Sequence, residues 1–504
     1  MAKKSAISPR REENYPAWYQ QVVKTADLAE SSDVRGCMVI KPWGFAIWEN
    51  MKAVLNKMFK ETGHKNAYFP LFIPKSYLEK EAEHVQGFAK ECAVVTHSRL
   101  QQVDGKLIPR GKLTQELIIR PTSETIIGSS FAKWISSYRD LPLLINQWAN
   151  IIRWEMRPRL FLRTTEFLWQ EGHTVHQTKD EALAHTHKML GIYTDFVENW
   201  LAIPILSGEK SENEKFPGAV KTLCLEAMMQ DRKALQMGTS HFLGQNFAKA
   251  SGIKFQDKDG SVRYGWTTSW GVSTRMIGGL IMTHSDDDGL VLPPAIAPSH
   301  IVFISIFKNS DEKKQIADRL RPIIKSLKKQ KFMGRELSIE FDQSETTFGS
   351  RRWNWIKKGI PLRVEVGTKE LEKGVFAVCR RDLPSYEKTT LGEEDFTQQI
   401  PDILKKMQDD IFAKAKTYRE NNTTNVENKE EFYQIFTPLN KKNPEIHGKF
   451  AKSFWCGSRA CEQKIKQDLS VTIRLIPFGD GNEQGKCICC GKQASKRVIF
   501  AKAY

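Results

Sequence analysis

LLINQWANIIRWEMRPRLFLRTTEFLWQEGHT, residues 143–174, decides how this chain folds. Short apolar and charged runs alternate along it, which fits two antiparallel strands, LLINQWANIIRWE and FLRTTEFLWQEGHT, on either side of a polar turn around Arg157 to Arg159. Arg153 closes the first strand. Arg163 opens the second, which continues through Thr164, Glu166, Phe167, Trp169, Glu171 and His173. Two arginines facing one another across a hairpin form a fork for phosphate oxygens, because guanidinium binds them in a bidentate manner. An adjacent aromatic such as Phe167 can stack on a purine. The alternative is a surface hairpin laced with salt bridges, the commoner fate of an isolated R-x-E.

Working outward, Trp43 to Thr62 reads as an amphipathic helix closed by Gly63, and AYFPLFIP (67–74) as a strand broken by prolines. Arg120-Pro121-Thr122-Ser123-Glu124 offers a hydroxyl and a carboxylate two residues apart. That pair suits an ammonium group, or caps a helix starting at Thr125. Residues 180–201 read as a helix. Gln236-Met237-Gly238-Thr239-Ser240-His241 lines a cleft or forms a turn. In GVSTRMIGGLIMTH (271–284), Arg275 begins a glycine-rich apolar helix, a position that suits an anion. After PPAIAPSH (293–300) the pattern changes: strands at IVFISIF, LSIEF, LRVEVG and GVFAVCRRD alternate with helices at 311–329 and 351–358, the signature of a compact α/β domain. A charged helical segment, 402–421, leads into the tail.

The chain has 504 residues, enough for about three domains. With 40% hydrophobic and 27% charged residues it is neither mainly disordered nor a polytopic membrane protein. No apolar run approaches the ~20 residues of a membrane span, and the N-terminus lacks the apolar stretch of a signal peptide, so the cytoplasm is expected. A net charge of +17 fits a polyanionic partner. Of nine cysteines, five fall in the last 49 residues. Cys456-x4-Cys461 and Cys487-x2-Cys490 have the spacing of a four-thiolate structural zinc site. Cys489 leaves a second pairing open; Cys487 with Cys490 is chosen because C-x-x-C-G knuckles are the commoner chelate.

Taken together, in order and spacing, these stretches resemble the prolyl-tRNA synthetase family, class II aminoacyl-tRNA synthetases, in its archaeal/eukaryotic-like type with a C-terminal zinc-binding region. The likeness runs from about residue 14 to Tyr504. Motif 1 resembles the helix before Pro70 with Tyr68 to Phe72, motif 2 the opening hairpin, and motif 3 STRMIGGLIMTHSDDDGLVLPP (273–294). RPTSET (120–125) is similar to the loop that holds proline's amino group, and GIPLRVEVG (359–367) to the anticodon-binding domain.

The resemblance implies an α/β protein with an α+β catalytic core: an antiparallel sheet with flanking helices over 1–298, an α/β anticodon-binding domain over 299–402, and a small zinc-binding α+β domain over 403–504. It implies an ATP-dependent ligase that makes prolyl-adenylate and passes proline to tRNA(Pro), with Mg2+ accompanying ATP, as a homodimer. Arg153 would bridge the proline carboxylate and α-phosphate, with Arg275 as its catalytic partner. Glu155, Arg163, Thr164, Phe167, Gln236, Thr239 and Arg275 would bind ATP. Phe88, Thr122, Glu124, Trp169, Glu171, His173, Phe216, His241 and Ser273 would form the proline pocket. Lys369 and Glu370 would reach the anticodon, and Tyr504 would send its carboxylate toward the active site. Two positions depart from the family pattern: Thr165 replaces a second arginine, and Ile356 a guanine-contacting glutamate. Only 99 residues separate His173 from Ser273, too few to add an editing domain of ~150 residues.

Overall fold

The computed structural model describes residues 6–79, 91–440, 446–479 and 483–504. Its centre is the opening hairpin. Strand Leu143–Ile152 pairs antiparallel with Glu166–His176, from Leu143 opposite Val175 to Ile152 opposite Glu166. On the far side of that second strand lies Trp266–Ser273, with Ser269 opposite His173 and Gly271 opposite Glu171. Ala234–Gly244, Lys221–Met228 and Ile205–Glu209 extend the sheet in that order, each antiparallel to the last. Strands adjacent in space but distant in sequence thereby bring residues from 143 to 273 onto one surface.

Two glycine contacts set how tightly that surface packs. Gly172 lies opposite Trp270, and a Cβ there would stand 2.0 Å from the indole. Helix Arg275–His284 approaches the sheet through Gly278 and Gly279, where added Cβ atoms would meet Leu162 at 2.4 Å and Met237 at 2.8 Å. Helices Tyr15–Thr25 and Pro42–Glu61 contribute Trp18, Tyr19, Ile47, Met51 and Leu55 to the same buried core.

Several local expectations are corrected. The second hairpin strand begins at Glu166, not Arg163. Arg153 N–H donates to Thr165 O at 2.8 Å, so Arg153 faces Thr165 across the hairpin, while Arg163 bridges back to Arg159. Phe161 and Leu162, expected at the start of the second strand, are buried in the core, and Phe161 has φ 63°; the chain folds inward there rather than extending. Within AYFPLFIP only Phe72–Pro74 is a strand, since Pro70 has no N–H to donate to a ladder. The helix after RPTS is Glu124–Trp134, one residue earlier than expected, and its Ser123 cap makes no side-chain capping bond. Helix Lys179–Asp195 continues into one wider turn, Phe196–Trp200.

The segment after 299 builds a mixed five-stranded sheet. Ile301–Ile306 lies parallel to Ile339–Asp342 and Leu362–Gly367, and Val375–Arg380 and Thr389–Gly392 follow antiparallel. Position 402 falls inside one continuous helix, Glu393–Asn421. Its first half packs Phe396, Ile400 and Leu404 into the five-stranded domain's core. Met407 and Ile411 then meet Ala202 and Val291 of the first domain. The C-terminal strands are not a separate sheet: Ile476 and Pro477 pair with Glu209 and Gly208, extending the central sheet to eleven strands.

Candidate active site

Two adjoining cavities open on the sheet surface. The larger, 320 Å³, is lined by Thr122, Glu124, Arg153, Phe167, Trp169, Glu171, His173, Phe216, Gln236, Thr239, His241, Ser273 and Arg275. The second, 250 Å³, takes Glu91, Glu155, Arg163 and Thr164. Arg153, Phe167, Ser273 and Arg275 border both. Of the residues expected at ATP and proline, every described one therefore lines one of these two spaces; Phe88 lies outside the described residues. Of the two alternatives for the run 236–241, it lines the cleft and forms no turn, being part of strand Ala234–Gly244.

The larger cavity ends in buried carboxylates. Glu171 is 2% exposed, and its Oε1 accepts from Ser123 Oγ (2.6 Å) and Gln147 Nε2 (2.7 Å). Its Oε2 meets His173 Nε2 at 2.8 Å. Burial opposes a charge on His173, yet the bond to Glu171 and the charges of Glu171 and Glu124 outweigh it and raise its pKa. Thr122 Oγ1 donates to the Glu124 carboxylate, so the hydroxyl–carboxylate pair serves the cavity and not a helix cap. His241 behaves oppositely: burial, with a smaller push from His173, lowers it to about 4, and it pairs with Thr222 Oγ1 at 3.0 Å. Its ring lies 4.6 Å from that of Phe216. A small cavity with aromatic walls and two carboxylates at one end suits a compact cation with an apolar body. Trp169 Nε1 and Ser269 Oγ are buried without a hydrogen-bond partner among the described residues, leaving a donor on the indole and a hydroxyl for a ligand.

Cations gather where the cavities meet. Arg153 donates through Nε to Pro121 O at 2.8 Å, and its guanidinium stands 5.7 Å from the Phe167 ring and 5.9 Å from the Trp169 ring. Burial lowers its pKa against the pull of Glu124, Glu91 and Glu171. Arg275 is fixed by Nε to Leu162 O at 3.1 Å. Burial first, then the charges of Arg163 and Arg153, push it down to about 10. These desolvated, mutually repelling cations await an anion. Glu155 Oε2 lies 3.4 Å from Arg163 Nε.

Ser123, Gln147, Thr222 and Ser269 escaped sequence reasoning. The legible signal was Asn146-Gln147, adjacent amides inside a largely apolar strand; register alone puts Gln147 opposite Glu171. Tyr504 borders neither cavity. Its phenol donates to Asp231 Oδ2 at 2.6 Å, and Arg159 stands 5.9 Å over its ring. Lys369 and Glu370 lie in the five-stranded domain, on helix Thr368–Glu372. There Glu370 Oε2 accepts from Gly367 N–H at 3.0 Å, while Lys369 is exposed. Ile356 is 1% exposed, a core position.

Cys456, Cys461, Cys487 and Cys490 converge, all four sulfurs within 4.8 Å of one another, and Cys489 stands outside the set. The separations Cys456–Cys461 and Cys456–Cys490 are 3.7 and 3.8 Å. Four thiolates around one zinc at ~2.3 Å sit about 3.8 Å apart, so the donor set and spacing fit a tetrahedral metal.

Residues 108–284 match the tRNA synthetase class II core domain (G, H, P, S and T), and residues 300–402 an anticodon binding domain. The sheet, its paired cavities and the domain beside them thus have the build of class II aminoacyl-tRNA synthetases. Residues 441–504 match the prolyl-tRNA synthetase C-terminal family. The chain is 55% identical over 504 residues to proline–tRNA ligase 2 of Anaeromyxobacter dehalogenans, covering 99% of both chains. It is 54% identical to the Protochlamydia amoebophila proline–tRNA ligase, again over 99% of each. The crystal structure of Cryptosporidium parvum prolyl-tRNA synthetase with L-proline and AMP superposes with a TM-score of 0.87 at 36% identity, covering 99% of this chain and 97% of that one. The complex with halofuginone and AMPPNP gives 0.88, covering 99% of both. The chain belongs to the prolyl-tRNA synthetase family.

Proposed function

We propose that proline occupies the carboxylate end of the larger cavity, that ATP spans the smaller cavity and the adjoining wall of Gln236 and Thr239, and that the chain ligates proline to tRNA(Pro). The observation that carries this reading is the shared border: Arg153 and Arg275 touch both spaces, so one substrate's carboxylate and the other's phosphates meet at the same cations. A proline carboxylate oxygen attacks the α-phosphorus of ATP, which enters as its magnesium complex. The bond to pyrophosphate breaks, leaving prolyl-adenylate. A terminal ribose hydroxyl of tRNA then attacks the proline carbonyl, and AMP departs. Catalysis is positioning and charge stabilisation. Arg153 bridges the reacting anions, Arg163 and Arg275 hold the phosphates, and Phe167 stacks on the purine. Glu155 meets the adenine amino group, Thr164 borders the nucleotide, and Gln236 and Thr239 face ribose and phosphates. Thr122 and Glu124 take the secondary ammonium, while Trp169, Glu171, His173, Phe216, His241 and Ser273 surround the ring. Charging of tRNA(Pro) with labelled proline tests the assignment; an uncharged tRNA after incubation with active protein and ATP contradicts it.

The divisions at 298 and 402 remain our reading of the domains, the second lying within a bridging helix. Lys369 is inferred to meet the anticodon, with Glu370 beside it. Exposed Tyr68 and Phe72, in the segment expected as motif 1, support a homodimer. No helix among the described residues is long and apolar enough to cross a membrane, which supports a cytoplasmic assignment.

The four cysteines are assigned to one structural zinc per chain. Cys461 and Cys487 also belong to the C-terminal core with Trp455, Ile465 and Phe500, so the metal would hold that core closed. Elemental analysis should find one zinc, unchanged in Cys489→Ser; metal-free protein purified without chelator contradicts the site. The chain is also expected to leave mischarged alanyl-tRNA(Pro) intact. Strands and helix between His176 and Ser273 build the core itself, and one missing methylene is worth only ~1–3 kcal/mol of discrimination. Deacylation of alanyl-tRNA(Pro) well above the buffer rate would overturn this.

A further inference from the structure

The wall of the larger cavity includes Glu214, Lys215, Phe216 and Pro217, from the loop joining strands Ile205–Glu209 and Lys221–Met228. Phe216 N–H donates to Thr222 Oγ1 at 3.0 Å and its ring packs on His241, so the far end of the loop is tied to the cavity floor. Its near end is held from another part of the chain. Helix Arg459–Leu469 carries the sulfur ligand candidate Cys461, and the next residue is Glu462, 2% exposed. Glu462 Oε1 accepts from Ser211 Oγ at 2.7 Å and Oε2 from Asn213 Nδ2 at 2.8 Å. The same helix adds Lys466 to Glu214 at 3.0 Å and Arg459 to Glu212 at 3.5 Å. Those outer pairs are solvent-exposed and contribute little. The buried carboxylate is different: it is fixed one residue from a sulfur of the four-cysteine cluster and satisfies both its oxygens on the loop.

We propose that Glu462 is a positioning residue for proline binding, holding the 211–217 loop against the substrate cavity from the four-cysteine module. The inference rests on the reading of that cavity as the proline pocket. A loop of this length without secondary structure samples many conformations, and ordering it only on substrate arrival weakens binding by the fraction of time it is out of place. Glu462 acts on proline more than on ATP, because the loop is tied through Phe216 to His241 of the expected proline pocket and no residue of it borders the second cavity.

The test is pyrophosphate exchange with the full chain, varying proline and ATP separately, together with zinc content. Wild-type exchange with proline secures the pocket itself; its absence removes the reading on which the inference stands. Glu462→Ala is expected to raise KM for proline about tenfold, a change of about 1.4 kcal/mol, with KM for ATP within about twofold. Zinc per chain stays at the wild-type value. Glu462→Gln keeps one acceptor and should restore most of the affinity. Asn213→Ala, at an exposed loop position, should raise KM for proline about threefold and add nothing to Glu462→Ala. If Glu462→Ala fails to fold, Asn213→Ala decides. An unchanged KM for proline in either variant overturns the inference, as does a parallel rise in both KM values with loss of zinc.

Discussion

Arg153→Ala should lower the rate of proline-dependent ATP–pyrophosphate exchange by about a hundred- to thousandfold, the usual loss when one charge-assisted stabiliser of a transition state is removed. Arg153 stands between the two cavities, oriented by Pro121 O and by the Phe167 and Trp169 faces. Thr165, the residue across the hairpin, carries no charge and cannot replace its fork. The loss should fall on the chemical step, with far-UV and melting behaviour close to wild type. Arg153→Lys should recover little, since an ammonium cannot grip carboxylate and phosphate in two places at once. Near-normal exchange in folded Arg153→Ala would remove Arg153 from the reaction.

The second large effect is on stability in acid. Six buried histidines are held neutral: burial lowers His64, His176, His241 and His284 to about 4, His300 to about 3 and His185 to about 2. Three of them form one cluster, His64 Nε2 lying 3.1 Å from His185 Nε2 and the His176 and His185 rings 4.8 Å apart, against Trp270 behind the active-site sheet. In the unfolded chain each takes a proton near pH 6.5. Their folded values being depressed, they cost nothing above pH 6.5, and stability is lost as pH falls toward 4. Each histidine contributes a slope of about 1.4 kcal/mol per pH unit, several such groups together exceeding the usual margin of a folded protein within one or two units. His173 works the other way, since its raised pKa favours folding below pH 6.5 and the gain fades as pH rises through the folded value. One group does not balance six. The melting temperature should drop by more than about 10 °C between pH 7 and pH 5. A flat profile over that range would contradict the neutral assignments.

Much of this architecture was legible because short apolar runs and helical spacings are bounded by Gly, Pro and charge. The opening hairpin, the helix of Arg275 and the strands after Ile301 follow from that pattern alone. The ends of elements were harder to read where tertiary packing overrode local composition. Phe161 and Leu162 turn inward inside a stretch dominated by arginines and proline, delaying the second strand to Glu166. At Thr122 and Glu124 the sequence left a helix cap and a cavity role open; both line the cavity, and Thr122 bonds Glu124. What could not be read at all was contact between distant segments. Nothing local in IRLIP or ILSGE states that the C-terminal strands extend the catalytic sheet. Equally, Glu462 looks like a solvated helix residue until Ser211 and Asn213 are found on it. The cysteine set was readable from spacing, since two short chelating pairs need only one fold-level encounter. Gln147, which holds Glu171, and Thr222, which lines the cavity, needed strand register, which a single sequence does not reveal.

The central claim is that a proline pocket and an ATP pocket meet at Arg153 and Arg275. The most direct measurement is pyrophosphate exchange by the purified full-length chain with each of the twenty amino acids in turn. Exchange that depends on proline, with threonine, serine, glycine and histidine near background, is the predicted result. No exchange with proline, or exchange driven best by another of these amino acids, would contradict it.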